Sequence, residues 1–89
     1  MPHIVFAPAI QRHVAVPAQH VAATTLRKAL HAVFAVQPAL RDYIVDEQDQ
    51  LRKHVTIFID NEQIGDRHNL DHTISDDAEI YVVQALSGG

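Results

Sequence analysis

One stretch of this 89-residue chain has the periodicity of an amphipathic helix. Its apolar residues fall on one helical face and are Leu26, Leu30, Val33 and Phe34. Thr24 is expected to cap the start of this helix, and Pro38 disfavours helical geometry at the residue before it, so we predict a helix over residues 25–36. Because one helix can cover only one face of one sheet, this feature predicts a two-layer α+β domain.

The other apolar segments are short and rich in β-branched or aromatic residues, which is typical of strands. They occupy residues 3–7, 12–16, 43–45, 54–60 and 79–84. The first two are separated by a turn that contains Pro8 and predict an N-terminal hairpin. Polar residues predict turns at 46–50 and 60–62, and Gly65 is expected to adopt a positive φ.

The predicted order of elements is therefore β-β-α-β-β-β. The β-grasp (ubiquitin-like) architecture, a mixed sheet of four to five strands covered on one face by one helix, is the known solution with this order. We predict one β-grasp domain over residues 1–84 and a flexible C-terminal tail over residues 85–89. A ferredoxin-like fold would need a second helix, and the sequence offers no candidate for it.

Composition and charge exclude several classes of function. The chain has no cysteine, which removes disulfides, thiolate metal ligands and a cysteine nucleophile. Its start lacks a basic signal segment, and no apolar run is long enough to cross a bilayer, so we expect a cytoplasmic protein without a membrane partner. Residues 1–41 carry a net charge of +4 and residues 42–89 a net charge of −8. The acidic half disfavours nucleic acid and suits a basic protein partner.

Side chains for conventional catalysis are scarce. There is no glycine-rich phosphate loop and no serine motif of the strand-to-helix type. The acidic pairs Asp46/Glu47 and Asp76/Asp77 lie in predicted turns, where solvent keeps carboxylates ionised. The seven histidines are scattered, and only His68 and His72 have helical spacing, so we expect no metal site. The chain is therefore not predicted to be an enzyme in its own right.

The C-terminal pair Gly88-Gly89 is the feature with the clearest chemical meaning. Two glycines give a narrow, flexible backbone that can enter a deep active site on another protein. A terminal carboxylate is a weak electrophile, but activation as an acyl-adenylate would allow sulfide to displace the nucleotide and leave a thiocarboxylate. The sulfur would then be a strong nucleophile at the end of a tether.

The second half of the chain also resembles a known family. Its matching residues are Val55, Ile57, Ile59, Asn61, Glu62, Ile74, Asp76, Ile80, Gly88 and Gly89. They are similar to the pattern of the sulfur-carrier superfamily that includes the small subunit of molybdopterin synthase and the thiamine sulfur carrier. Length and the C-terminal half look closest to the carrier used in thiocarboxylate-dependent cysteine synthesis.

The resemblance implies roles for individual residues and partners. Gly89 would be adenylated and thiocarboxylated by a ubiquitin-activating-type adenylyltransferase, and a sulfur-accepting synthase would then receive the sulfur. The carrier would bind no cofactor itself, because ATP is used by the activating partner. The residues implied in binding that partner are Gly88, Leu86, Phe58, Tyr81 and Val83, the last three on the sheet face that the helix leaves uncovered.

Two other functions use the same features. A protein modifier would form an isopeptide bond to a lysine through Gly89, and the sequence does not separate it from a carrier. A β-grasp interaction domain would use the fold for docking and leave the tail inert. The sulfur acceptor also stays open between cysteine, molybdopterin and another thio-metabolite.

Overall fold

The computed structural model describes residues 1–66 and 69–84 of the chain. Its elements in chain order are β1 (His3–Phe6), α1 (Pro8–Gln11), β2 (Gln19–His20), α2 (Leu26–Val36), α3 (Pro38–Ile44), β3 (Val55–Ile59), β4 (Glu62–Gln63) and β5 (Glu79–Gln84). The strands of this described part form one mixed sheet in the spatial order β2-β1-β5-β3-β4. The central strand β5 runs parallel to β1 and antiparallel to β3. The predicted α+β class with a mixed sheet is confirmed.

The core lies between one face of the sheet and the helices. Alternation along the three central strands turns one set of side chains inward, namely Ile4, Phe6, Val55, Ile57, Ile80 and Val82. The buried side of α2 supplies Leu26, Ala29, Leu30, Val33 and Phe34. All of these residues belong to one hydrophobic cluster, which Leu40 and Ile44 of α3 extend. The helices therefore cover the inner face, and no helix or strand among residues 1–66 and 69–84 covers the other face of the sheet, here called the outer face.

The start of α2 lies one residue later than the sequence predicted. Thr25, not Thr24, is the N-cap, and its hydroxyl accepts a hydrogen bond from the Lys28 amide at 3.2 Å. The first two amides of the helix, those of Leu26 and Arg27, donate to carbonyls of the 69–74 connection, at 2.9 Å to His72 and at 2.7 Å to Leu70. Because first-turn amides have no partner within the helix, these bonds fix the connection to the helix end.

The predicted N-terminal hairpin is wrong in its second strand. Residues 8–11 form the short helix α1, and the backbone carbonyl of Ile10 then accepts hydrogen bonds from the amides of residues 13 and 14. Pro8 occupies the first turn of α1, where a residue without an amide proton costs nothing. The strand that pairs antiparallel with β1 is Gln19–His20, so residues 12–16 are a connection instead of a strand.

The predicted strand at residues 43–45 is also wrong. Tyr43 and Ile44 form the end of helix α3, which begins at Pro38, so two helices follow one another where one was predicted. The polar segment 46–50 is a turn, as expected.

The turn after β3 is present, but its special backbone geometry lies at different residues than predicted. Asp60 and Asn61 have φ values of 52° and 72°, and the flanking Ile59 and Glu62 are paired in the sheet. This is a two-residue hairpin turn of the type that needs two positive φ values, which Asp and Asn tolerate. Gly65 does not have the predicted positive φ.

Candidate functional site

An apolar row crosses the outer face of the sheet. Val5 of β1 and Phe58 of β3 are the direct pairing partners of Tyr81 in β5, so the three side chains lie side by side. Tyr81 is 42% exposed, the most exposed large apolar side chain of the described strands, and Val83 is half-buried two residues further along. The structure therefore places Phe58, Tyr81 and Val83 together, and their role in binding stays a prediction.

The rim of this row carries acidic groups. An open groove there is lined by Val5, Phe58, Asp60, Asn61, Glu79, Ile80 and Tyr81. The carboxylate of Glu79 pairs with Nδ1 of His3 at 3.1 Å. Oδ1 of Asp60 accepts a hydrogen bond from the backbone amide of Glu79 at 2.9 Å, and both acidic residues are exposed at the rim of the groove. An aromatic floor with an acidic rim fits a partner surface that presents basic and apolar groups.

The predicted tail residues Leu86, Gly88 and Gly89 lie outside the described residues. The chain reaches them through Gln84, the last residue of β5. The phenol of Tyr43 donates a hydrogen bond of 2.5 Å to Oε1 of Gln84. The sequence did not predict this contact, because the two residues are 41 positions apart and no local pattern joins them.

A cluster of charged side chains lies on the helical side of the molecule. Its centre is Asp49, whose carboxylate accepts hydrogen bonds from Arg27 and from Nε2 of His31, the latter at 2.8 Å. Nη2 of Arg41 donates to Oδ1 of Asp49 at 3.4 Å. Arg27 also donates from Nε to Oδ1 of Asp71 at 2.9 Å. Asp49 itself has a positive φ of 63°. The cluster therefore ties the 46–50 turn and the 69–74 connection to helix α2.

This cluster changes the titration of two of its members. Burial of Asp49 opposes its ionisation, but hydrogen bonds from His31 and Arg27 outweigh this effect and lower its pKa. The hydrogen bond to Asp71, opposed by burial and assisted by Asp49, raises the pKa of Arg27. Both shifts favour the ionised forms, which is the pattern of a structural ion cluster and not of a group prepared to exchange protons near pH 7.

Asp49 is expected to contribute measurably to stability. Replacing it by Ala should cost about 2–3 kcal/mol, because charged hydrogen bonds are lost, and Asp49→Asn about 1–2 kcal/mol. The folded-state pKa lies below the ordinary value of 3.8. The contribution of the charge is therefore present well above pH 3.8 and is lost as the pH falls through the lower folded value.

Denaturant unfolding of wild type and Asp49→Asn as a function of pH measures this contribution. The difference in unfolding free energy should be larger at pH 7 than in acid, where the Asp49 carboxylate becomes protonated. Asp46→Asn is the comparison in the same turn, since Asp46 accepts hydrogen bonds from two backbone amides, those of Gln48 and Gln50. A difference for Asp49→Asn that grows in acid would contradict the proposed role of its charge.

Metal-binding groups are not assembled in the part of the chain that the structure describes. Residues 1–66 and 69–84 contain no group of three His, Cys, Asp or Glu side chains placed to hold a metal ion. Two of the histidines, His3 and His20, form a stacked pair with ring centroids 4.8 Å apart. His68, one member of the helically spaced pair, lies outside the described residues. Over the same described ranges, no helix has the length and apolarity needed to span a membrane.

Comparison with known proteins places the fold. The small archaeal modifier protein 1 of Methanosarcina acetivorans superposes with a TM-score of 0.81 at 19% identity, covering 99% of this chain and 95% of that one. CysO of Mycobacterium tuberculosis gives 0.80 at 15% identity, with 97% and 100% covered. A chain of the BexX/CysO complex of Amycolatopsis orientalis gives 0.81 at 14% identity, with both chains covered completely. This chain has the ubiquitin-like β-grasp fold.

The β-grasp neighbours match over nearly their whole length, so they are small proteins of the same size. At identities of 14–19% the likeness establishes the fold. No protein-family model matches the sequence, and no curated protein sequence does. In the sequence, residues 85–89 directly follow the central strand β5. The same strand carries Tyr81, whose side chain lies on the outer face of the sheet.

Proposed function

We propose that this β-grasp protein is a sulfur carrier whose Gly89 carboxylate is adenylated and then converted to a thiocarboxylate. The observation that carries the proposal is the Gly88-Gly89 pair, which follows the central strand of a ubiquitin-like sheet within five residues. A glycine pair adds no side chains, so the backbone can enter a partner's active site without steric conflict. The overall likeness to CysO structures supports cysteine synthesis as the first acceptor class to test.

The chemistry requires no catalytic side chain from this protein. A Gly89 carboxylate oxygen attacks the α-phosphorus of ATP, and pyrophosphate leaves. Hydrosulfide, or a persulfide sulfur followed by reductive cleavage by a thiol, then attacks the carbonyl carbon and displaces AMP. The product is a thiocarboxylate, and the carbon keeps its oxidation state throughout. The activating enzyme supplies the ATP site, so this chain acts as a co-substrate that positions the reacting end.

The outer face supplies the recognition that such a co-substrate needs. Phe58, Tyr81 and Val83 form the apolar part of the contact, and Asp60 with Glu79 borders it. We assign this face to the activating adenylyltransferase, with basic side chains on the partner opposite the acidic rim. Docking there holds the β-grasp body while residues 85–89 enter the active site. Steering by opposite charges raises the association rate and makes it salt-dependent.

Intact-mass measurement tests the proposal directly. The protein is incubated with a ubiquitin-activating-type adenylyltransferase, ATP and hydrosulfide, and the expected result is the mass gain for exchange of one oxygen by sulfur. A variant that lacks Gly89 should show no gain, and omission of ATP should abolish it for the wild type. A panel of such adenylyltransferases that all leave the wild-type mass unchanged, while loading their own carriers, would refute the sulfur-carrier function.

A protein modifier is the second candidate, because a neighbour of this fold is a small archaeal modifier protein. The same acyl-adenylate would then pass to a lysine amine and form an isopeptide bond. Affinity purification of the tagged protein from its own cells separates the two functions. A ladder of covalent conjugates that disappears in a Gly88-Gly89 deletion favours the modifier, whereas a free thiocarboxylate without conjugates favours the carrier. An interaction domain with an inert tail predicts that this deletion has no effect.

A further inference from the structure

Four segments of the chain meet at the end of β5. Tyr43 comes from α3, and its phenol donates to Oε1 of Gln84 at 2.5 Å. The ring of His13, beyond α1, stacks on the Tyr43 ring with centroids 4.8 Å apart and an angle of 28° between planes. The ring of His54, just before β3, meets Tyr43 edge-on at 5.1 Å. The Tyr43 ring is thus held from two sides, and its hydroxyl points at the last residue of β5.

The position of Gln84 makes this contact informative. Gln84 continues the inward row of β5 after Ile80 and Val82, both of which are buried in the core. Its backbone is paired with Val55 in β3. An apolar side chain here would simply extend the core, without a preferred direction. An amide bonded to a fixed phenol has a directional contact, so the end of the strand is held by its side chain as well as by the sheet.

We propose that Tyr43 is a positioning residue, which acts through Gln84 to set the direction in which the chain leaves β5. This inference rests on the proposed function, since that direction matters when Gly89 must reach a partner's active site. The contact lies on the helical side of the sheet, whereas Phe58 and Tyr81 lie on the outer face. Loss of the contact should therefore leave docking intact and reduce the fraction of docked complexes whose end is placed for reaction.

Three variants test this role in the loading reaction. Tyr43→Phe removes only the hydroxyl and keeps the ring between the two imidazoles, and Gln84→Met removes the acceptor at similar volume. Each should lower kcat about 3- to 10-fold, the range that corresponds to losing one neutral hydrogen bond, with KM changed less than about 2-fold. The double variant should be no worse than the poorer single variant, because both remove the same interaction.

Ser75→Ala is the matched control. Its hydroxyl donates to Asp77 at 3.0 Å in the turn before β5, so the control loses a side-chain hydroxyl at the opposite end of the same strand. It should load like the wild type, and thermal unfolding of every variant confirms that the body is folded at the assay temperature. Gln84→Met also provides an independent measurement if Tyr43→Phe lowers the melting temperature below the assay range.

The outcomes separate this inference from the function on which it rests. A wild type that loads, with Tyr43→Phe and Gln84→Met loading at the same kcat, overturns the positioning role and leaves the carrier function standing. A raised KM at unchanged kcat, or additive effects in the double variant, also overturns it. A wild type that no activating enzyme loads overturns both. A shared, non-additive loss in kcat alone supports the inference.

Discussion

Replacing Tyr81 by Ala is expected to lower kcat/KM for loading by the activating enzyme about 30-fold, mostly through KM. Tyr81 is 42% exposed at the centre of the apolar row, between Val5 and Phe58. Large aromatic residues at the centre of an interface cost about 2 kcal/mol or more when they are truncated, which corresponds to that factor. Steady-state kinetics with the carrier as the varied substrate measures the change.

Val36→Ala is the matched control for Tyr81→Ala. Val36 is 75% exposed at the end of α2, on the helical side, so it is an apolar surface residue outside the proposed contact. Its removal should leave kcat/KM within about 2-fold of wild type, as is usual for surface sites. Equal losses for Val36→Ala and Tyr81→Ala, or none for Tyr81→Ala, would show that the outer face does not bind the enzyme.

Phe58→Ala should also lower kcat/KM for loading, but its effect is not expected to be independent of the effect of Tyr81→Ala. Phe58 and Tyr81 are direct cross-strand partners, so removal of either changes the packing of the other. Their effects on kcat/KM should therefore be less than additive. The circular dichroism spectrum of each variant shows whether the sheet is retained.

Strands β3 and β5, two of the three central strands of the sheet, were predictable from local sequence. Buried residues alternate with more exposed ones along β3 and β5, so alternation identifies both the strand and its two faces. The same alternation is sufficient to place Phe58, Tyr81 and Val83 on one outer face. Their pairing across strands adds only the register, which the sequence does not contain.

Each wrong strand prediction is linked to a short helix that the sequence did not reveal: α1 lies immediately before residues 12–16, and α3 contains Tyr43 and Ile44. Helices α1 and α3 are 4 and 7 residues long, too short for a helical period to appear against their β-branched and aromatic residues. Pro8 and Pro38 each end the preceding apolar segment, as predicted, but both also begin a helix. A proline is favourable in the first turn of a helix and also occurs in turns before strands. Pro8 and Pro38 alone therefore do not decide whether a helix or a strand follows, and that depends on which of the next residues are buried.

Contacts between distant segments were not accessible from the sequence. Tyr43 and Gln84 are 41 positions apart, and Arg27 and Asp49 are 22 apart. Hydrogen bonds of this kind depend on how the sheet and helices stack, and no spacing rule joins their members. The sequence therefore predicts a tail and an outer face. The role proposed for Tyr43 could be inferred only from the folded structure.

Replacing Ile10 by Ala is expected to destabilise the domain by about 3 kcal/mol, in the range for a fully buried isoleucine. Ile10 has no exposed surface and packs in the main core from α1, whereas the predicted hairpin would have placed it in a turn. A domain of 89 residues has a total stability of about 4–13 kcal/mol, so this loss is a large share. Urea unfolding with an unchanged m-value measures it.

Val14→Ala is the comparison that separates the helical turn from a hairpin. Val14 is only partly buried against the core in the structure, so its truncation should cost about 1 kcal/mol or less. In a hairpin with a strand over residues 12–16, Val14 would face the core, Ile10 would lie in the turn, and the order of the two costs would be reversed. The burial in the structure requires Ile10→Ala to lower the free energy of unfolding more than Val14→Ala does, because a buried cavity loses both transfer free energy and packing contacts. A larger loss for Val14→Ala than for Ile10→Ala would therefore contradict α1.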